Sequence, residues 1–200
     1  EATDYMTFGQ TLLAREKNGA PVKQMWLVFD QQYRNNYVLA GVVFPRQPLP
    51  RAWLEAGIAF TGDSPRALAE AAGLPRDTFE QTLARFNEQA NAGVDADFHR
   101  GESAYDRYYG DPTMMPNPNL RALRGKLFAV KVALSDLGTC GGLSADEHGR
   151  VLREDGSVIE GLYAMGNTAG NAFGRVYPGA GGTIGQGLVF GYIIAKHAAS

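Results

Sequence analysis

The stretch Arg175-Val-Tyr-Pro-Gly-Ala-Gly-Gly-Thr-Ile-Gly-Gln-Gly187 carries five glycines in thirteen residues, with a tyrosine and a proline set in front of them. Pro178 biases Tyr177 toward extended backbone. Helical grammar resumes from Thr183 to Ala199, with Ile184, Leu188, Tyr192 and Ile193 on one side. The stretch therefore reads as an extended segment that passes through glycines into a helix. Backbone without Cβ atoms lets a ligand or another chain segment approach main-chain N–H groups, and the first helical turn adds unpaired donors and a positive dipole end. Two readings stand on these residues: a site for an anionic or carbonyl-bearing ligand at Thr183–Ile184, or a tight packing corner between helix and sheet. Glycine inside a helix costs about 1 kcal/mol against alanine, so Gly185, Gly187 and Gly191 imply a close neighbour, either a flat ligand or another element. A phosphate loop is excluded because no Gly-Lys-Ser/Thr follows, and no Gly-x-Gly-x-x-Gly opens a strand-turn-helix unit here. The helix itself, apolar around much of its circumference, is expected to be buried.

Upstream, Val158-Ile-Glu-Gly-Leu-Tyr-Ala-Met165 follows Asp155-Gly156, and Val151-Leu-Arg153 follows Asp146-Glu-His-Gly149. Turn residues between short strands predict a small β-hairpin unit. Phe128–Leu134 alternates as a strand and leads into the glycine-broken Leu137–Leu143. Nearer the N-terminus, Thr3–Ala14 has helical spacing, Gln24–Asp30 suits a buried strand, Asn35–Tyr37 is expected to be loop, and Arg51–Ala56 a helical turn. Ser64–Gly73 has an N-cap serine, a proline at the first helical position and a closing glycine, and Pro75–Ala90 repeats that pattern. On the second of these helices Phe79, Leu83 and Phe86 share a face and belong to a core. From Asn91 to Pro118 the sequence turns irregular, and a loop of that length is either functional or well pinned.

Two hundred residues, 44% of them hydrophobic, are enough to bury a core in one large domain or two small ones. A net charge of −2 with interspersed signs excludes the electrostatic footprint of a nucleic-acid or anionic-membrane binder. No apolar run is long enough for a membrane span. One cysteine, Cys140, rules out an internal disulfide, and with three scattered histidines it offers no metal site. A reducing compartment fits, and the expected location is the cytoplasm. The first residues, Glu1-Ala-Thr-Asp-Tyr5, have neither an initiator methionine nor the regions of a signal peptide, so the chain is expected to be part of a longer protein.

Among side chains, Tyr177 on its stiff segment is a ready hydrogen-bond donor to a substrate carbonyl, or an ordinary packed aromatic. Tyr5 on a helix, and the Tyr105, Tyr108 and Tyr109 cluster, read first as core or interface. His148 in a turn and His197 near a helix C-terminus read as solvent-exposed or as dipole contacts.

Taken together, Gly161-Leu-Tyr-Ala-Met-Gly-Asn167, Gly174–Gly187 and Phe190-Gly-Tyr192 resemble the C-terminal segment of the 3-ketosteroid 1-dehydrogenases, FAD enzymes of the fumarate reductase and succinate dehydrogenase flavoprotein superfamily. The likeness extends through Arg100–Pro112, Asn117–Leu120 and Leu137–Leu143, and back to Glu1–Met6, so it covers essentially the whole chain. The resemblance implies an α+β fold: a substrate (catalytic) domain over residues 1–128, then, over 129–200, the C-terminal β-hairpin strands and last helix of a Rossmann-like FAD-binding domain. The N-terminal dinucleotide-binding unit with its Gly-x-Gly-x-x-Gly is absent from this sequence, and the fragment alone is expected to be inactive.

The implied reaction introduces a 1,2 double bond into a 3-ketosteroid, with a proton leaving carbon 2 and a hydride passing from carbon 1 to FAD. By position in the family motifs, Tyr177 and the N–H of Gly181 hold the 3-keto oxygen and Tyr5 is the base. Gly166, Asn167, Gly182, Thr183 and Ile184 meet the cofactor. An unperturbed tyrosine has a pKa near 10, so a basic Tyr5 requires a depressed pKa or a proton relay. The implied partners are the steroid, an external electron acceptor and the missing N-terminal flavin-binding portion. Ala180 stands where the family commonly has proline, which leaves this loop less rigid. Two alternatives remain. A fumarate-reductase-like enzyme would need arginine and histidine clamps for carboxylates, yet Arg175 is the only basic residue of the loop. A non-catalytic binding fragment would be favoured by loss of Tyr5 and Tyr177, and both are present.

Overall fold

The computed structural model describes the backbone of residues 5–135 and 138–200 and the side chains of residues 8–135 and 138–200. Glu1–Asp4, Leu137 and the side chain of Tyr5 therefore lie outside the described residues. Helices and sheets are mixed, and the chain divides into two compact units, Glu1–Ala133 and Leu134–Ser200. The strand that begins at Leu127 is kept whole within the first unit.

The first unit is built on three antiparallel strands: β1 (Met25–Asp30), β2 (Ala59–Gly62) and β3 (Leu127–Val132), in the order β1-β3-β2. Its central strand is the last in sequence, so the sheet closes only when the chain returns from residue 127. Leu127, Phe128, Ala129 and Val130 are all buried, and period-2 alternation sends them to opposite faces. Phe128 and Val130 join Phe29, Leu39, Val43, Leu49 and Ala59 on one face. Leu127 and Ala129 join Leu68 and Leu83 on the other, with Phe79 and Phe86 packed around them. The second face is covered by α4 (Pro65–Ala72) and α5 (Arg76–Ala92). Ser64 caps α4 by accepting from Ala67 N–H, and left-handed Gly73 and Gly93 end the two helices.

The remaining helices of this unit are α1 (Tyr5–Lys17), α2 (Gln31–Asn36), α3 (Arg51–Glu55) and α6 (Ala104–Tyr109). Asn35–Asn36, expected as loop, closes α2. The Asp30 side chain accepts from Tyr33 N–H and so starts a helix that the propensities of its own residues do not announce. Strand β2 also escapes the sequence reading, because four residues cannot establish an alternation. The irregular Asn91–Pro118 segment proves well pinned. Buried Asp95 pairs with Arg100 and accepts from Phe98 N–H, while Asn117 donates to Gly93 O and Arg100 O, both at 3.0 Å. Tyr37 donates to Asp111, and burial together with that carboxylate pushes the Tyr37 phenol up to about 12.

The second unit contains the expected hairpin, β4 (Arg150–Leu152) and β5 (Val158–Tyr163), antiparallel with a register shift, and the final helix α7 (Gly182–Ala198). Contrary to expectation, no residue of α7 is buried: Ile184 and Leu188 are 70% and 71% exposed. Apolar periodicity says that a face seeks cover, but the cover must come from another element. Here the hairpin and a 3-10 turn, Gly166–Thr168, meet only part of the helix. His148 and His197 are not isolated surface groups either. Their rings stack with centroids 4.8 Å apart, and Tyr163 Oη lies 3.0 Å from His197 Nδ1. Among the described residues no helix is long and apolar enough to cross a membrane.

Asp30 carries the strongest stability prediction. It is 1% exposed and binds Arg121 through two contacts, at 2.5 and 2.8 Å, besides Tyr33 and Arg124 N–H groups. Burial pushes its carboxyl up, but these donors outweigh it and hold the pKa below the usual carboxylate value of 3.8. A lowered folded-state pKa stabilises fully above the unfolded value and is lost as pH falls through the folded one. Asp30→Ala should therefore cost about 3–5 kcal/mol at neutral pH, and the difference from wild type in urea unfolding should shrink below pH 4. An unaltered difference between neutral and acidic pH would exclude the ionised pair as its origin.

Candidate active site

The glycine-rich stretch passes through Tyr177-Pro178 without regular structure and reverses at Gly181, which is the N-cap of α7 with φ +92°. L-residues rarely adopt that conformation, so a glycine is required for the turn itself. Gly182 serves a different need. A Cβ there would meet Pro178 Cγ at 2.9 Å and Tyr177 Cε2 at 3.7 Å, so its absence lets the Tyr-Pro pair fold back on the first turn of the helix. Tyr177 is 38% exposed at this position, its ring beside the helix start.

Gly182 N–H donates to Gly179 O at 3.1 Å, and Gly185 N–H makes the first helical bond, to Gly181 O at 2.7 Å. Thr183 and Ile184 are left as first-turn residues whose N–H groups have no intrahelical acceptor, at the positive end of the dipole. The turn that holds Gly166 and Asn167 lies against the second turn of α7. A Cβ on Gly187 would lie 3.9 Å from Gly166 Cα, so the turn runs against bare helix backbone. Asn167 is exposed on that turn. Backbone hydrogen bonds from Leu143 N–H to Thr168 O and from Gly170 N–H to Leu143 O, both 2.9 Å, fix the turn to the start of the hairpin unit. A cleft of about 280 Å³ opens beside it, bordered by Leu143, Asp146, Gly166, Asn171 and Gln186.

The second unit thus brings together Gly166, Gly182 and Tyr177 around the start of α7, with Asn167, Gly181, Thr183 and Ile184 on the same elements. Tyr5 is the first residue of α1 in the first unit, and its side chain lies outside the described residues. Two residues that the sequence reading passed over organise the loops. Asn171 Nδ2 donates to Gly174 O at 3.0 Å and Val176 O at 2.9 Å, closing the loop before Tyr177. Gln186 Oε1 accepts from Ala172 N–H at 2.8 Å, and its Nε2 donates to Gly166 O at 3.2 Å. A signal existed for Gln186: it is the one long polar side chain between Gly179 and Phe190. No group of three or more metal-ligating side chains occurs among the described residues.

Such a bare helix start, with an aromatic beside its first turn and a glycine turn beside its second, suits a flat cofactor carrying carbonyl oxygens. The sequence matches the family model of the FAD binding domain over residues 1–184. The chain belongs to the FAD binding domain family. Its relatives include the 3-oxosteroid 1-dehydrogenase of Mycolicibacterium smegmatis, 56% identical over 171 residues, which are 85% of this chain and 30% of that protein. The enzyme of the same description from Mycobacterium tuberculosis is 51% identical over 175 residues, 87% of this chain and 31% of that protein. Among solved structures, the 3-ketosteroid delta1-dehydrogenase from Sterolibacterium denitrificans in complex with 1,4-androstadiene-3,17-dione superposes with a TM-score of 0.86 at 36% identity. That superposition covers 98% of this chain and 36% of the other. The chain therefore spans about a third of the length of these relatives.

FAD is the cofactor of the family, and the residues present fit it. Gly166, Gly181 and Gly185 have open space where a Cβ would stand, so ring or carbonyl atoms can reach their backbone. The same geometry predicts opposite signs for two conservative substitutions. Gly181→Ala, forced into a positive φ, should destabilise the protein by about 1–3 kcal/mol. Gly185→Ala, in open space within the helix, should stabilise it by roughly 0.5–1 kcal/mol. Thermal unfolding of the two variants in the absence of flavin checks this, and equal shifts in the same direction would refute the assignment of Gly181 as the conformational pivot.

Proposed function

We propose that this chain is the C-terminal part of an FAD-dependent 3-ketosteroid 1-dehydrogenase. In this reading the first unit is the portion of the substrate domain, and the second is the closing segment of the flavin domain. The observation that carries it is the Tyr177-Pro178 pair folded against Gly182 beside the left-handed Gly181. This sets a phenol and a backbone turn at one helix start, the arrangement a ketone oxygen needs. The alternative of a dicarboxylate substrate lacks support, since Arg175 remains the only basic residue in the loop.

Tyr177 donates its hydroxyl hydrogen to the 3-keto oxygen, and Gly181 donates its N–H. Both bonds strengthen as carbon 2 loses its proton and negative charge moves onto that oxygen, which is how a ketone acidifies its neighbouring C–H. Tyr5 takes the proton, a role that rests on its match to the family's helix tyrosine. Bound FAD supplies the hydride-accepting chemistry at carbon 1. Gly166, Asn167, Gly182, Thr183 and Ile184 hold it, with the α7 dipole favouring negative charge at its N-terminus. An external electron acceptor completes turnover. The N-terminal flavin-binding portion covers the apolar residues that α7 exposes, Ile184, Leu188 and Tyr192 among them.

In the full-length enzyme Tyr177→Phe should lower kcat for a 3-ketosteroid by roughly 100- to 1000-fold, the usual cost of one oxyanion donor, with flavin still bound. Steady-state turnover and the visible flavin spectrum test both halves, and unchanged turnover would remove Tyr177 from the reaction. Anaerobic bleaching of the flavin by 3-ketosteroids but not by dicarboxylates is the expected substrate signature.

A further inference from the structure

The loops that bear the candidate ligands are short of side chains, so few contacts hold their shape. Gln186, in the second turn of α7, supplies two of them. Its carboxamide accepts from Ala172 N–H at 2.8 Å and donates to Gly166 O at 3.2 Å. One partner is a donor and the other an acceptor, so only one orientation of the amide satisfies both. The partners belong to different loops. Gly166 opens the turn that carries Asn167. Ala172 begins the run to Tyr177, and its neighbour Asn171 carries any displacement forward by binding Gly174 O and Val176 O. Gln186 is half-buried at the edge of the cleft, and its bond to Gly166 O is partly shielded while the one from Ala172 N–H lies at the surface.

We propose that Gln186 is a positioning residue that locks the Gly166–Thr168 turn and the Ala172–Val176 loop to α7, and thereby sets where Tyr177 meets the ketone. The last clause rests on the proposed dehydrogenase reading; the loop lock does not. Gln186 touches neither substrate nor reacting atoms in this role. It acts by restricting a glycine-rich loop whose alternative conformations would leave the Tyr177 hydroxyl misplaced, and a displacement of about 1 Å can cost as much as 100-fold in rate.

Two variants separate this role from simple structural support. Gln186→Met keeps the length and removes both bonds. Gln186→Glu keeps an acceptor for Ala172 N–H and sets a carboxylate against Gly166 O. In the full-length holoenzyme Gln186→Met should lose roughly 10- to 100-fold in kcat for a 3-ketosteroid with KM little changed, because positioning of the donor matters most in the transition state. Gln186→Glu should recover most of that kcat while shifting the visible flavin spectrum, since its lesion lies on the turn. Amide hydrogen exchange across Ala172–Val176 should accelerate in Gln186→Met and stay near wild type in Gln186→Glu.

Equal exchange and equal kcat per bound flavin in Gln186→Met and wild type would overturn the proposal. So would a Gln186→Glu variant as impaired as Gln186→Met in both readouts. If exchange responds as expected but the wild-type enzyme converts no 3-ketosteroid, the loop lock stands and the substrate reading fails.

Discussion

The candidate site depends on one backbone reversal. At Gly181 the chain leaves the Tyr-Pro segment and enters α7 through a left-handed residue, a conformation that any side chain would strain. That reversal sets Tyr177 beside Gly182 and leaves the N–H groups of Thr183 and Ile184 without an intrahelical acceptor. Without it, the tyrosine and the helix dipole would point at different places and could not act on one ligand. The remaining glycines serve the same end by removing side chains from the approach.

What glycine removes, amide side chains restore. Asn171 and Gln186 together make five hydrogen bonds between side chain and backbone in the loops beside the cleft. Irregular segments have no ladder to pair their backbone groups, and here two carboxamides supply partners for several of them. The result is a site whose surface is mostly main chain and whose shape is set from one step behind. Such an arrangement suits a flavin ring with its carbonyl oxygens, where directed N–H groups matter more than charge.

The first unit shows the same economy in another form. Asp30 joins the end of β1, the start of α2 and the Arg121–Arg124 segment through one buried carboxylate. A charge so placed is tolerated because every direction around it offers a donor. It also places β3, since the segment that Arg121 and Arg124 anchor leads directly into that central strand.

Local chemistry in the sequence was sufficient for α4 with its serine cap, for α5, whose periodicity carried it although Pro75 gives no side-chain cap, for the β4–β5 hairpin with its Asp-Gly turn, and for the extent of α7, because caps, turns and periodicity are short-range. It also marked Tyr177, Gly181 and the start of α7 through an unusual run of glycine, and the resemblance of its motifs led to the FAD family. Other features were decided only by the fold. Asn35–Asn36 became helical because a distant arginine fixed the aspartate that caps it, and β2 became a strand because β3 lay beside it. Helix α7 had the pattern of a buried element, yet its exposure depends on which elements stand next to it. The bonds of Gln186 likewise exist only once two loops, separated in sequence, converge on one helix. Short-range preferences can be read residue by residue, whereas pairing and cover are properties of segments that meet only in three dimensions.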